Sequence, residues 1–89
     1  MTFEVGDCIV LAGERVFIAL PQNDESTVQD YIDNQSHTRR LKIYDKKKAP
    51  NASYIILEIK GGYALLMMTK DGVLSKVFAM LEEGAFVKL

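Results

Sequence analysis

Three apolar runs lie end to end between Tyr54 and Phe78, divided by two glycine-bearing turns. The runs are Tyr54–Lys60, Tyr63–Thr69 and Val73–Phe78, and the dividers are Gly61-Gly62 and Lys70-Asp71-Gly72. A Gly-Gly loop takes positive φ at both central positions without steric penalty, and that backbone matches the right-handed twist of two paired strands. Asp-Gly is the second strong hairpin signal. The segment is therefore predicted to be an antiparallel meander, with Gly61-Gly62 at one tip and Ile59 opposite Ala64. It carries no obvious catalytic group.

The rest of the chain fits around this meander. Phe3–Leu11 reads as an opening strand with a bend or bulge at Gly6-Asp7, where the Asp7 side chain is expected to bond nearby backbone N–H groups. Val16–Leu20 is a second short strand, ended by Pro21, which has no N–H for a ladder bond. Residues 22–53 form a long irregular insertion. Within it, Ser26 or Thr27 is placed to cap a short helix from Val28 to Asn34, with Val28, Tyr31 and Ile32 on one face. Arg40–Tyr44 alternates with period two, which predicts a strand with Leu41 and Ile43 inward and Arg40, Lys42 and Tyr44 outward. Ala79–Gly84 reads as one helical or 3₁₀ turn, and Ala85–Leu89 as a last strand. Val5, Ile9, Leu11, Ile56, Leu65, Val77 and Phe86 are the expected core.

Eighty-nine residues, 48% of them hydrophobic, suit one small folded domain. No apolar stretch approaches the ~20 residues of a membrane helix, and the start lacks the basic and apolar pattern of a signal peptide. A cytoplasmic protein is the expectation, and the single Cys8 agrees with it. One His and one Cys cannot supply a usual four-ligand zinc site within the chain, so no metal or cofactor is expected. Cys8, in an apolar run, reads as a small buried hydrophobe. Nothing in its spacing from His37 suggests a nucleophile and base pair.

The net charge of −1 conceals a segregation. Residues 1–36 carry seven acids and one base, for −6, whereas residues 37–48 carry six bases and one acid, for +5. Arg39, Arg40, Lys42, Lys46, Lys47 and Lys48 are the candidate contacts for phosphate, with Tyr44 beside them as a stacking platform. The plainer reading is a solvated loop whose charges balance the acidic first third. The acids Asp24, Glu25, Asp30 and Asp33 read first as support for a helix N-terminus, and second as a surface for a basic partner.

The order of these pieces is similar to small SH3-like barrels of the KOW or Tudor kind, found in bacteriophage and bacterial proteins. The matching features are Phe3-Glu-Val-Gly6-Asp7-Cys-Ile9-Val10, the tyrosine-led strand Tyr54–Ile59, the turns Gly61-Gly62 and Asp71-Gly72, and the terminal pieces Met80–Gly84 and Phe86–Leu89. The resemblance implies an all-β barrel of about five to six antiparallel strands, a single domain over residues 1–89, with residues 22–53 as a longer insertion than usual. It also implies binding rather than chemistry.

The expected function is a non-enzymatic binding module with a protein partner, in its most concrete form a small phage-type modulator or inhibitor of a host protein. The rival is an RNA or single-stranded DNA binder using residues 39–48. A small hydrolase or transferase finds no support in the spacing of Cys8, His37 or the carboxylates. The apolar 54–78 meander leaves room for a homodimer, because Leu65-Leu66-Met67-Met68 must place two side chains on each face.

Overall fold

The computed structural model describes residues 2–13, 15–33, 42–82 and 84–89. The chain forms β1 (Cys8–Leu11), β2 (Val16–Ala19), α1 (Val28–Asp33), β3 (Lys42–Tyr44), β4 (Ser53–Lys60), β5 (Tyr63–Lys70), β6 (Val73–Met80) and β7 (Phe86–Lys88). The seven strands make one sheet in the order β3-β2-β6-β5-β4-β1-β7, and every pairing is antiparallel. The sheet curls into a half-barrel whose end strands, β3 and β7, are each three residues long. The strand count exceeds the five to six that the resemblance implies, because the strand predicted within the long insertion forms at Lys42–Tyr44 and adds an edge to β2.

The two turns of the meander set its register. Gly61 and Gly62 have φ of 59° and 83°, and Asp71 and Gly72 have φ of 52° and 79°, so both are two-residue turns with two positive φ values. Ile59 lies opposite Ala64 as the sequence predicts. One irregularity follows on β4, where Ile56 pairs with Leu66 but Glu58 pairs with Leu65. Leu57 is the extra residue of this β-bulge, and it turns Glu58 to the outer face.

Alternation then sorts the meander onto two faces. Ala64, Leu66 and Met68 point into the half-barrel with Ile9, Leu11, Ile18, Tyr54, Ile56, Val77 and Phe86. On the outer face, Ala19, Leu65 and Phe78 are covered by Val28, Tyr31 and Ile32 of α1. Tyr31 stacks on Phe78 with ring centroids 4.8 Å apart and meets Tyr63 edge-on at 5.5 Å. An isolated six-residue helix is unstable in water, so α1 depends on these contacts and on its caps. Thr27 N–H donates to Asp30 Oδ2 and Asp30 N–H donates to Thr27 Oγ1, a reciprocal capping arrangement.

Several expectations are corrected. Val5 is 65% exposed, because the chain bends at Gly6 (φ 94°) and β1 starts only at Cys8. The bend is held by Asp7, whose carboxylate accepts from Glu4 N–H at 2.8 Å and pairs with Lys88 at 3.3 Å. The Glu4 N–H, aided by Lys88, holds the Asp7 carboxyl below its ordinary range. Cys8 is half-buried rather than enclosed, since it shares the outer face with its β4 neighbour Ile55. Ile43 and Tyr44 exchange the faces expected of them. Tyr44 pairs with the buried Val16 and packs on the core, while Ile43 pairs with the exposed Phe17 and faces outward. No helical turn forms at Ala79, because β6 runs on to Met80, where Ala79 pairs with both Ala64 and Ile18. A tight turn follows instead, with Ala85 N–H donating to the Glu82 carbonyl.

A candidate binding groove beside the open edge of β6

The lengths of β2 and β6 do not match. β6 has eight residues and β2 has four, and they pair only at Ile18↔Ala79 and Ala19↔Phe78. Beyond Ala19 the chain cannot continue as a full ladder partner, since Pro21 has no N–H to give. It leaves the sheet in a turn closed by Asn23. The Asn23 carbonyl accepts from Ser26 N–H, and its side-chain oxygen accepts from Glu25 N–H at 2.9 Å. Among the described residues, the first half of β6, Val73 to Lys76, therefore has a strand beside it on the β5 side alone.

The phase of the ladder decides what this edge offers. The two-residue turn makes Lys70 and Val73 a hydrogen-bonded pair, and antiparallel pairs alternate from there. The backbone N–H and C=O groups of Leu74 and Lys76 accordingly point away from β5. They are in phase with Phe78, which faces Ala19 on β2. Val73 and Leu74 are 61% and 66% exposed. A strand edge that shows both polar backbone and apolar side chains is a template for another chain.

The departing loop stands off from this edge and forms a groove of about 610 Å³. Leu20, Pro21, Met67 and Leu74 supply apolar lining, and Asn23, Asp24, Ser75 and Lys76 supply polar lining. Lys76 Nζ donates to the Asp24 carbonyl at 2.9 Å, which ties the loop wall to the strand. The apolar surface runs on across the outer face, from Met67 to its β4 neighbour Ile55 at 45% exposure. Of Leu65-Leu66-Met67-Met68, Leu66 and Met68 face the interior, Leu65 lies under α1, and Met67 is the half-buried residue at the groove. A second, smaller concavity of about 190 Å³ lies among Arg15, Phe17, Tyr31, Met80 and Glu82.

The described part of the basic segment sits elsewhere. Arg39, Arg40, Leu41 and His37 lie outside the described residues. Lys42 is placed in β3, opposite Ile18. Lys46, Lys47 and Lys48 are exposed in a turn after β3, where Lys48 N–H donates to Asp45 Oδ1 at 2.9 Å. Tyr44 is half-buried against the core, and Lys70 Nζ stands 5.0 Å from its ring centre. Lys46, Lys47 and Lys48 are not among the described residues that line the groove. Among the described residues no three His, Cys, Asp or Glu side chains gather as a metal site would require, and no helix is long and apolar enough to cross a membrane. Sequence reasoning missed the groove. Val16–Leu20 and Val73–Phe78 read as runs of nearly equal length, and only the pairing in the fold shows where β2 stops along β6.

The chain matches no known protein-family model, no curated protein and no solved structure.

Proposed function

We propose that this chain is a non-enzymatic binding module that engages a protein partner through the groove beside β6. The observation that carries the reading is the half-paired β6, with Leu74 exposed at 66% over a groove of about 610 Å³. Soluble domains usually blunt or cover such an edge, so one left open beside apolar side chains favours a partner. The resemblance of the sequence to SH3-like barrels agrees with a binding role, and with a small phage-type modulator of a host protein as its most concrete form. A photo-crosslinking amino acid at Leu74 is expected to capture a nuclease-resistant protein partner, and the same probe at Val5, exposed but outside the groove, is not. Equal capture from both positions contradicts the reading.

The second reading, RNA or single-stranded DNA binding, is favoured by the three consecutive exposed lysines Lys46–Lys48. Each phosphate contact to a single strand contributes about −0.7 to the log–log salt slope. Salt-sensitive binding that disappears when Lys46, Lys47 and Lys48 become Ala, with no crosslink from position 74, establishes this reading in place of the first.

A further inference from the structure

We infer that the occupant of the groove is an extended segment of a partner protein, added to β6 as an extra antiparallel strand and carrying a basic residue beside Asp24. This inference rests on the protein-binding reading and names the mode and chemistry of its partner.

Four residues of antiparallel strand span about 13 Å. Over that length Leu74 and Lys76 present two outward N–H and two outward C=O groups, in phase with the pair that Phe78 makes with Ala19. A segment entering along the line that β2 leaves at Pro21 meets this ladder in the orientation β2 already has. Its backbone bonds supply affinity, and its alternate side chains fall on Met67 and Leu74, which supply selectivity.

Charge selects among such segments. Asp24 lines the groove and Glu25 follows it, both exposed, and neither carboxylate has a hydrogen-bond or ion-pair partner among the described residues. Lys76, the one base among the described lining residues, is turned to the Asp24 carbonyl at 2.9 Å. Lys76 keeps its charge while it donates to that carbonyl, but the Asp24 and Glu25 carboxylates outnumber it, so the loop wall complements a basic residue on the entering strand. A second copy fits less well. Its own β6 edge is flanked by the same 20–24 loop, so pairing two β6 edges brings two walls into the space of one.

The probe is a capped peptide about five residues long that alternates lysine and valine, with two counterparts. One has glutamate in place of lysine, and the other is N-methylated along the edge that would face β6. Amide shifts and hydrogen-exchange protection of Leu74 and Lys76 are read by NMR on the full chain. The lysine peptide is expected to protect both amides, the glutamate peptide to bind about tenfold or more weakly, and the N-methylated peptide to give no protection. Leu74→Pro removes an N–H that faces away from the β5 ladder, so it is expected to keep the fold and lose the peptide. If this variant does not fold, the N-methylated peptide applies the same test to the wild-type chain. Equal binding of the N-methylated peptide overturns strand addition, and equal binding of the glutamate peptide overturns the charge assignment. Protection of both amides that rises with protein concentration, with no peptide present, shows a second copy and overturns the inference. A crosslinked partner at position 74 without any peptide effect leaves the protein-binding reading standing and removes this one.

Discussion

Val28 N–H donates to Glu58 Oε1 at 2.8 Å, across thirty positions of sequence. The bond joins the first residue of α1 to the bulged strand β4, and so fastens that helix to the outside of the half-barrel. Without the bulge at Leu57, Glu58 would fall on the inner face. A sheet irregularity therefore provides the helix with its cap.

Glu58→Ala is expected to lower stability by about 1–2 kcal/mol, the range for a lost N-terminal cap with a charged acceptor. Glu58→Gln retains an acceptor oxygen and should lose less. Denaturant unfolding of the two variants checks the order. A wild-type midpoint for Glu58→Ala would mean that Val28, Tyr31 and Ile32 dock the helix unaided.

Tyr54 is fully buried, packed edge-on against Phe86 at 5.4 Å, and its hydroxyl has no hydrogen-bond partner among the described residues. Burial first, and the nearby Tyr44 second, push its phenol up to about 12 from an ordinary 10.0. The folded value is raised, so the associated stability is complete below pH 10 and is lost as pH climbs toward 12. Wild type should lose stability more steeply than Tyr54→Phe across that interval. At neutral pH, Tyr54→Phe should be at least as stable as wild type, because an unsatisfied buried hydroxyl is removed. Thermal melts of both proteins from pH 7 to pH 12 test the two statements, and a clear loss in Tyr54→Phe at pH 7 contradicts them.

Phe86 is the one residue of β7 that is buried, at 1% exposure, so the last strand is held inward by a single ring. Phe86→Ala should cost about 3–5 kcal/mol, a large share of the stability of so small a domain. Melting like wild type would show β7 to be peripheral to the fold.

Local chemistry was readable in the sequence wherever it decided the outcome. Gly61-Gly62 and Asp71-Gly72 fixed both hairpins and the Ile59↔Ala64 register, and the spacing of Val28, Tyr31 and Ile32 gave the buried face of α1. Where two faces of a short segment were similarly apolar, the reading failed. Ile43 and Tyr44 could each have faced inward, and only pairing with Phe17 and Val16 decides between them. Val5 was misjudged because the bend at Gly6 removes it from the strand it seemed to open. The groove was beyond reach, since it depends on where β2 parts from β6, sixty residues away along the chain by their Ala19↔Phe78 pairing, to the nearest ten. The conspicuous basic run drew attention to residues 39–48 instead.

The account rests on the open edge of β6, and hydrogen exchange in the free chain measures that edge directly. Residue-resolved exchange should alternate along the strand. The amides of Leu74 and Lys76 should exchange quickly, and those of Ser75 and Val77, bonded to β5, should be protected. Uniform protection from Leu74 through Val77 would show that the edge is already covered and would contradict the proposed site.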